Sequence, residues 1–575
     1  MSTTQPIYAA RILGTPDIEV SMSDDTGRIV FDSGSAPHVE GTVQLAVEDP
    51  ALFEDLDPRD NHRLAVDVWA DSEWTETPEG PVQVPTGTAR TFDLGIRRAA
   101  PARADSQVTL TLASDEALLG DHRPIVGIDM MNYATDIKAL CQTVIAAALG
   151  AGVAVSGPTG SVYPLWDVTN LVPFPTGHSG TSGWVTSTGA TSLLAVATPP
   201  VAPPVGLSAV RWTAAAGVSV VQAGGWNGVD ATKVCAVTPG KQYTASIYLL
   251  SSIARNAIIR LAFRDENGTS LPGAVTSSAP LMTSTSAWTR VSVTAIPPKL
   301  ARYAYIIVQT EGNASGQFHY GTVVMLTEGP FLPEPFYGNS ASNADYRYEW
   351  AGTVNASASI RTALRDAPDR DALYWSAGMS ALDFLAPLVQ VLGLRLVCDE
   401  TRAWSLRGAG YLAPGSVTFR DGVNIITASE ELSRDSDDWY QGAVFRYSWD
   451  DRDGIAQTRD DIYVMPGVTN PKVVLREINA PYPGPGRAQY AVQRAQGRGR
   501  TITAEKVARW TEAAEQSLSA ILEGTPIQLG TAERVEFDLG KNRVTVTSRT
   551  TDTSAGAIVL LPGTINALPG TINNL

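Results

Sequence analysis

The chain has 575 residues, which is too long for one hydrophobic core, so about three to five domains are expected. Its composition, 44% hydrophobic and 18% charged, is typical of soluble globular proteins. Its 43 basic and 59 acidic residues give a net charge of −16, which opposes general attraction to free nucleic acid or anionic membranes. The cysteines Cys141, Cys235 and Cys398 are widely spaced without a CxxC pair, which argues for buried thiols and against a disulfide framework or a zinc site.

Residues 1–128 alternate apolar and polar side chains in short segments separated by turn residues, which predicts antiparallel strands in a barrel-like domain. The alternating sets are Val43, Leu45 and Val47, then Leu64, Val66 and Val68, then Val108, Leu110 and Leu112. The N-terminus has no basic start followed by a long apolar stretch, so export by a Sec signal is not expected.

Residues 129–162 predict one helix followed by a flexible exit. Apolar residues recur at helical spacing before Gly150, namely Ile137, Leu140, Val144 and Ile145. The most apolar part of this segment is mostly Ala and Gly, and it falls short of the roughly 20 strongly apolar residues of a membrane helix. We therefore expect a packed helix and no membrane span.

From residue 163 to residue 338 the composition shifts to Thr, Ser, Val, Gly and Ala, which predicts an inserted β-sandwich. Its alternating segments include VTPGKQYTASIYLLSS from Val237, RLAFRDENGTSLPG from Arg260, SAWTRVSVTA from Ser286 and FHYGTVVMLTEG from Phe318. The PGKxYTxSxY strand, the DxxG hairpin and the WTR strand, in this order, resemble jelly rolls of the carbohydrate-binding-module type. The resemblance implies sugar binding or a role as a spacer.

Three aromatic residues of this module are candidates for sugar contact, because aromatic faces stack on pyranose rings. They are Trp226 in the loop GGWNGV, Trp184 and Tyr320. For each of them, packing in the core or at its rim is the alternative, since aromatic side chains dominate core burial. Trp288 is assigned to the core.

The segment from Phe331 to Ile360 separates this module from the next folded unit. Pro333 and Pro335 fix φ and bias the residues before them toward extended backbone, so a strand should stop there. After a polar run, aromatic residues alternate as on a new strand, namely Tyr346, Tyr348 and Trp350. An α+β domain is therefore expected over residues 339–430.

In that domain Ser380 is the predicted N-cap of a helix, and Gly393 is its C-terminal stop. The segments from Leu394 to Cys398 and from Ala403 to Arg407 then predict a hairpin.

Residues 431–550 predict a second barrel-like domain that contains a helix from Thr503 to Gly524. The apolar face of that helix is Val507, Trp510, Ala514, Leu518 and Ile521. The segment VEFDLGKNRVTVTS from Val535 predicts a hairpin, and its FDLG repeats the FDLG at Phe92 in the N-terminal domain. Residues 551–575 contain LPGTIN twice and predict a tail without a core of its own.

The sequence contains no GxSxG, P-loop or HExxH motif, and its five histidines, His38, His62, His122, His178 and His319, stand alone. Asp450, Asp451 and Asp453 resemble part of a calcium loop, but Ile462 occupies the position of the closing Glu, so a hairpin turn is expected. GRGR at residues 497–500 is locally basic and could line a DNA conduit, while an exposed loop is the favoured interpretation. We expect no enzymatic activity, no metal and no cofactor.

Together the outer segments resemble the tail hub, or minor tail protein, of phages of actinobacteria. The resemblance rests on an ordered set: the N-terminal β-domain, the ALDFLAPLVQ helix, the LRLVCDE strand, a late helix and the VEFDLG hairpin. It implies a homotrimer in which two similar barrel-like domains per chain form a pseudo-sixfold ring. The simplest hubs lack the inserted module, which therefore suggests contact with the host surface.

The sequence and its resemblances together predict a mainly β fold with α+β parts, in which barrel-like hub domains flank a jelly-roll β-sandwich. They imply a virion protein of the tail tip, assembled in the host cytoplasm. Implied partners are the distal tail, tape-measure and further minor tail proteins and a host cell-wall glycan, and phage DNA would pass without specific binding. The alternative is a polysaccharide-acting enzyme or a free lectin-like protein. The missing export signal favours the hub, because virion proteins leave the cell by lysis.

Overall fold

The computed structural model describes residues 2–3, 6–14, 16–47, 49, 51–77, 80–223, 235–434, 438–452, 454–523 and 527–551. The fold is mainly β with smaller helical parts, which confirms the predicted fold class. The chain divides into two compact units: unit 1 comprises residues 1–164 and 367–575, and unit 2 comprises residues 165–366. The predicted tail lies outside the described residues, apart from Thr551.

Six strands of unit 1 close into an antiparallel barrel. They are β1 (Ile7–Leu13), β2 (Ile18–Asp32), β3 (Val39–Ala46), β4 (Arg63–Trp69), β5 (Arg90–Ala102) and β6 (Gln107–Ala113). Their order is β1, β4, β5, β6, β3 and β2, and β2 pairs back with β1. The three alternating sets predicted from the sequence fill the buried interior.

A second set of six strands continues the same sheet. They are β7 (Ala413–Arg420), β8 (Thr427–Leu432), β9 (Arg500–Val507), β10 (Gln516–Ile521), β11 (Gln528–Asp538) and β12 (Arg543–Thr551). Their order is β7, β10, β11, β12, β9 and β8, with β7 parallel to β10 and all other neighbours antiparallel. Strand β11 also pairs with β2, which joins the two sets.

The α-helices in the described part of unit 1 are α1 (Leu52–Asp55), α2 (Glu116–Asp121), α3 (Ile137–Leu149), α4 (Ala381–Gln390) and α5 (Arg487–Ala495). The predicted end of α3 near Gly150 and the predicted cap and stop of α4 are confirmed. The Ser380 hydroxyl accepts the N–H of Asp383, while Gly150 and Gly393 adopt φ of 70° and 69° just past their helices. None of the helices in the described ranges has the length and apolar character that a membrane crossing requires.

Helices α3 and α4 share one core cluster with the predicted hairpin, whose strands are Leu394–Cys398 and Trp404–Gly408. Helix α5 packs on a separate three-stranded sheet made of Gly442–Asp450, Ala456–Val464 and Val473–Ile478. The remaining strands of unit 1 are Ser2–Thr3, Asp71–Thr77, Gly80–Thr86, Ile128–Asp129, Val155–Ser156 and Tyr374–Trp375. Its 3₁₀ helices are Pro58–Asp60, Arg103–Asp105, Met131–Tyr133, Arg370–Leu373 and Gln496–Arg498.

The predicted helix from Thr503 to Gly524 is wrong, because strands β9 and β10 occupy this segment. Alternate residues of β9, Ile502 and Ala504, point into the core, as a strand with one buried face requires. Between the two strands Trp510 and Glu515 adopt φ of 62° and 67°, and left-handed residues cannot continue a right-handed helix.

Unit 2 is a sandwich of two sheets with a buried core between them. The five-stranded sheet contains, in order, Ala190–Val196, Ala209–Ala214, Gln317–Glu328, Tyr243–Ser251 and Thr289–Ala295. The seven-stranded sheet contains Val185–Thr186, Gly217–Ala223, Tyr303–Asn313, Asn256–Arg264 and Ser270–Ser277, with Cys235–Ala236 and Leu281–Met282 attached. The loop before the first strand carries a 3₁₀ helix, Gly177–Ser179.

Two strands beyond residue 338 also belong to unit 2, although their alternation in the sequence suggested a new domain. Tyr346–Trp350 and Ser359–Ala363 form a small sheet with Val168–Asn170. Phe336 lies in a buried cluster with residues of the five-stranded sheet, Val323 and Met325. The strand before Pro333 and Pro335 already ends at Glu328, and the folded unit continues past both prolines.

Candidate functional site

The two sets of six strands in unit 1 repeat one topology. In each set, taken in chain order, the first strand pairs with the fourth, the fourth with the fifth, the fifth with the sixth, the sixth with the third and the third with the second. The sets differ at the first strand, because β1 is antiparallel to β4 and also pairs with β2, whereas β7 is parallel to β10. The other five strands agree in order and direction.

The register also repeats. The hairpins β5–β6 and β11–β12 are closed by connections of equal length, residues 103–106 and 539–542. Each hairpin has a bulge at the same distance from its turn, and the residue after the bulge faces a threonine: Arg98 faces Thr111, and Arg534 faces Thr547. Bulges are specific features of a strand pair rather than random defects. Unit 1 therefore contains an internal structural repeat.

The FDLG echo in the sequence is out of register with this repeat. Phe92 lies in β5 opposite Val66, whereas Phe537 lies one residue from the end of β11. The two hairpins can be aligned on the last residue before each turn, which is Ala102 in β5 and Asp538 in β11. In this alignment Phe537 corresponds to Pro101, and Phe92 corresponds to Gln528. The repeat is preserved in the hydrogen-bonded pairing of the strands and not in these four residues.

The two repeats meet at a joint formed by β2 and β11, where five residue pairs run from Arg28–Asp538 to Asp32–Arg534. Phe31, Phe92 and Phe537 are buried behind it, with ring centroids 6.0 to 6.5 Å apart. Trp510 stacks on Phe537 with centroids 4.6 Å apart. Aromatic pairs in these geometries add to the stability given by burial alone.

Arg90 covers this aromatic cluster. Its guanidinium lies 4.8 Å from the ring centre of Phe31 and 5.0 Å from that of Phe92. It also donates hydrogen bonds to the Glu400 carboxylate at 2.8 Å and to the Glu512 main-chain oxygen at 2.7 Å. The charge is thus paired while the flat face rests on the rings, which is an arrangement that lysine could not reproduce.

A buried carboxyl connects the first repeat with the hairpin after α4. Glu116 accepts hydrogen bonds from the main-chain N–H of Cys398 at 2.9 Å and from that of His38. Burial raises the pKa of Glu116 to about 7 and lowers the pKa of the His38 imidazole to about 3. Both side chains are enclosed by protein, so we assign them a structural role.

The three residues predicted for sugar contact do not lie together among the described residues. Trp184 is 5% exposed and packs 6.4 Å from Trp212 in the sandwich core, which leaves no ring face open to solvent. Trp226 lies outside the described residues. Tyr320 is half-buried in the five-stranded sheet, opposite Arg211. Trp288, assigned to the core, is only partly buried, and its indole N–H donates to the Val201 oxygen at 3.1 Å.

Tyr320 shares its sheet face with two residues that the sequence reasoning missed. The guanidinium of Arg211 lies 4.4 Å from the ring centre of Phe318. Between Phe318 and Tyr320, the buried His319 points to the core and bonds Ser251 and Asn313, each at 2.8 Å. The period-two spacing of Phe318 and Tyr320 was the available signal, because alternate strand residues share a face.

The predicted turn at Asp450 is confirmed. Asp451 closes the connection between two strands by accepting the N–H of Ile455 at 2.9 Å, and Asp453 lies outside the described residues. In the described ranges there is no group of three or more His, Cys, Asp or Glu placed to hold a metal ion. GRGR is not an exposed loop, since Arg498 pairs with Glu533 and Arg500 with Glu430, both at 2.5 Å.

No known family profile and no curated protein matches the sequence. Among solved structures, the 43 kDa tail protein of prophage MuSo2 from Shewanella oneidensis is 8% identical, with 95% of this chain and 98% of that chain covered and a TM-score of 0.38. The CBM22-1 xylan-binding domain of Paenibacillus barcinonensis Xyn10C is 13% identical over 28% of this chain and 96% of its own, with a TM-score of 0.21. The chain spans 21% of the length of the bacteriophage CBA120 tailspike protein 4 domain, at 12% identity over 28% of this chain and a TM-score of 0.22.

Proposed function

We propose that this chain is a structural hub protein of a phage tail tip, without catalytic activity, and that three copies form a ring. The proposal takes up the resemblance of the outer segments to the hubs of actinobacterial phages. In the virion the ring joins the tail tube to the tip and contacts distal tail, tape-measure and further minor tail proteins. Unit 2 supplies contact with the host surface, and phage DNA passes the ring without specific binding.

The observation that carries the proposal is the internal repeat of unit 1. A ring built from three chains presents six similar positions only if each chain supplies two similar parts. Strands β2 to β6 and β8 to β12 are two such parts, with the same order, directions and bulge. They are joined side by side by main-chain pairing between β2 and β11, which suits neighbouring positions of one ring.

The first prediction concerns assembly. Light scattering of the full chain is expected to give three times the monomer mass of 61.0 kDa, and the mass should persist on dilution to nanomolar concentration. An obligate interface buries roughly 2,000 Å² or more and is expected to survive such dilution. A mass of one chain at micromolar concentration would contradict the hub.

The second prediction concerns unit 2, for which we propose binding to a host cell-wall glycan on the face that carries Tyr320. Tyr320→Ala is expected to weaken binding of the full chain to host cell-wall polysaccharide by about tenfold, which corresponds to about 1.4 kcal/mol. The melting temperature should change little, because the ring is only half-buried. Affinity electrophoresis in gels that contain the polysaccharide measures the change.

Trp74→Ala is the matched control, because Trp74 is a 50% exposed aromatic residue of unit 1. It should leave retention by the polysaccharide unchanged. If both variants lose polysaccharide binding equally, or if Tyr320→Ala binds as well as the natural chain, glycan binding on this face is contradicted. The assembly prediction is independent of this result.

A further inference from the structure

Among the described residues, several strands of unit 1 have a partner strand on one side only, and two of these open edges in the twelve-stranded sheet are those of β5 and β8. Strand β5 pairs with β4 only up to Gly95, so the same edge of residues 97–102 is open. Strand β8 pairs with β9 on one side only. Leu432 at the end of β8 is 68% exposed, and residues 100–102 of β5 are exposed as well. The 3₁₀ helix Pro58–Asp60 also contacts β5. Open edges with unpaired main-chain groups are sites for pairing with another chain.

The internal repeat identifies what these edges correspond to. Strand β8 is the counterpart of β2, and β5 is the counterpart of β11, and β2 and β11 are the two strands that form the joint inside the chain. In β11 the first half pairs with β10 and the second half with β2. In β5 the first half pairs with β4, and the second half is the open edge. The open edge of β8 thus corresponds to the edge of β2 that β11 covers, and the open edge of β5 corresponds to the edge of β11 that β2 covers.

We propose that β8 of one copy pairs with the second half of β5 of the next copy, in the register of the joint between β2 and β11. The inference rests on the proposed function, because it specifies the contact between subunits of the ring. Repetition of a head-to-tail contact closes into a ring when its rotation allows closure. Around that ring, the joint between β2 and β11 within each chain would alternate with the joint between β8 and β5 of neighbouring chains.

The register follows from the threonines that face each other in both repeats. Thr42 pairs with Thr111, and Thr503 pairs with Thr547, so Arg28 opposite Thr42 corresponds to Ser429 opposite Thr503. At the joint inside the chain, Arg28 faces Asp538 and Phe31 faces Val535. Transferred to the contact between copies, Ser429 faces Ala102 and Leu432 faces Ala99.

The side chains on the two edges are complementary in charge and size. Glu431 of β8 would face Ala100 and lie diagonally from Arg98, within the reach of long side chains on neighbouring strands. The joint inside the chain has an ion pair between its two strands as well, between Arg28 and Glu536 at 3.4 Å. In the proposed contact, the exposed Leu432 would face the small Ala99. The equivalent pair at the joint inside the chain is Phe31 and Val535.

Pro101 sets the limit of this ladder. It has no N–H, so its own position cannot donate a hydrogen bond across the edge. Its counterpart at the joint inside the chain is Phe537, which retains the donor. We therefore expect the contact between copies to have a shorter ladder than the joint between β2 and β11, with side-chain contacts making up more of its area.

Cysteine cross-linking of the full chain tests the pairing. Residues that face each other in antiparallel strands have Cα atoms about 4.5 to 5.5 Å apart, which suits a disulfide. The variant Ala99→Cys with Leu432→Cys is treated with copper phenanthroline and run on non-reducing SDS gels. We expect dimer and trimer bands that dithiothreitol removes, and no band above the trimer. Leu432 is exposed and Ala99 is partly buried at the rim of the core, so the variant is expected to fold, and the natural cysteines are buried.

The matched control combines Leu432→Cys with Val84→Cys, since Val84 is also exposed and lies on a different sheet of unit 1. This control and both single variants should stay uncross-linked. Light scattering of each variant separates the two proposals. A trimer without the cross-link overturns the strand pairing and leaves the hub proposal standing, and so does a cross-link that forms equally in the control. A monomer, or a ladder of bands beyond three, overturns the ring of three itself.

Discussion

Phe537→Ala is expected to destabilise unit 1 by about 3 to 5 kcal/mol, the usual cost of removing a buried phenylalanine. Phe537 is fully buried, contacts Phe31 and Phe92 of the first repeat, and stacks on Trp510. Its removal leaves a cavity at the place where both repeats and the Arg90 guanidinium meet. Chemical denaturation at one fixed protein concentration measures the loss, because assembly contributes to apparent stability.

Phe53→Ala is the control for this prediction. Phe53 lies in the same unit, is only partly buried and contacts the Arg103 guanidinium at 4.7 Å. Phe53 packs at the rim of the core, so its loss should cost about 1 kcal/mol, as for a typical substitution, and less than the loss of Phe537. The transition of unit 2 should be unchanged in both variants. If Phe537→Ala unfolds within 1 kcal/mol of the natural chain, the aromatic cluster is not the centre of stability that its burial indicates.

Deletion of residues 165–366, with the flanks joined by a short Gly/Ser linker, is expected to remove one complete unfolding transition and leave unit 1 folded. Unit 1 has its own cores, and Val162 and Leu373, which lie two and six residues from the ends of the cut, belong to the same buried cluster. Flanks that share one core cluster can be connected without disturbing it. Calorimetry should show the remaining transition at its original temperature.

Residues 165–366 expressed alone are the complementary control and should show the missing transition, since the sandwich has a separate core. The deleted chain should also keep its trimeric mass, because the repeat and both open edges lie in unit 1. Aggregation of the deleted chain with every linker length would contradict the division into independently folding units.

Local signals in the sequence were sufficient for several elements. The cap of α4 needs only Ser380 and the residues after it, and the stops at Gly150 and Gly393 need only a residue that tolerates positive φ. The alternating sets of the first barrel likewise report which face of each strand is buried. These features depend on neighbours within a few residues, which a single sequence contains.

Features set by distant partners were not predictable in the same way. The apolar residues from Val507 to Ile521 fit a helical face, but pairing of β9 with β12 and of β10 with β11 decides in favour of strands. The two FDLG segments suggested a duplication, but they do not occupy equivalent positions in it. The repeat is seen in the strand register and in the position of the bulge. The extent of unit 2 depends on a sheet that joins Val168–Asn170 to strands far along the chain.

For the proposed sugar contact, the sequence could not rank the candidate aromatic residues by their exposure. Tyr320 lies in an alternating segment and Trp184 does not, and only the packing shows that Trp184 lies beside Trp212 in the core while Tyr320 lies opposite Arg211 on the other face of its sheet. Burial of a large ring depends on the opposite sheet, whose position a local pattern does not contain. The glycan contact therefore remains a prediction that rests on Tyr320.

Pro101 has a consequence for the subunit before it assembles. Under the proposed pairing, a newly made chain exposes the edges of β5 and β8 until it assembles. A proline in one edge and two glutamates, Glu430 and Glu431, in the other interrupt the continuous donors and apolar faces that amyloid-like stacking needs. If β8 and β5 pair between copies as proposed, the residues that shorten this contact also oppose aggregation of the free subunit, so replacing them to strengthen the ring is expected to lower the yield of soluble protein.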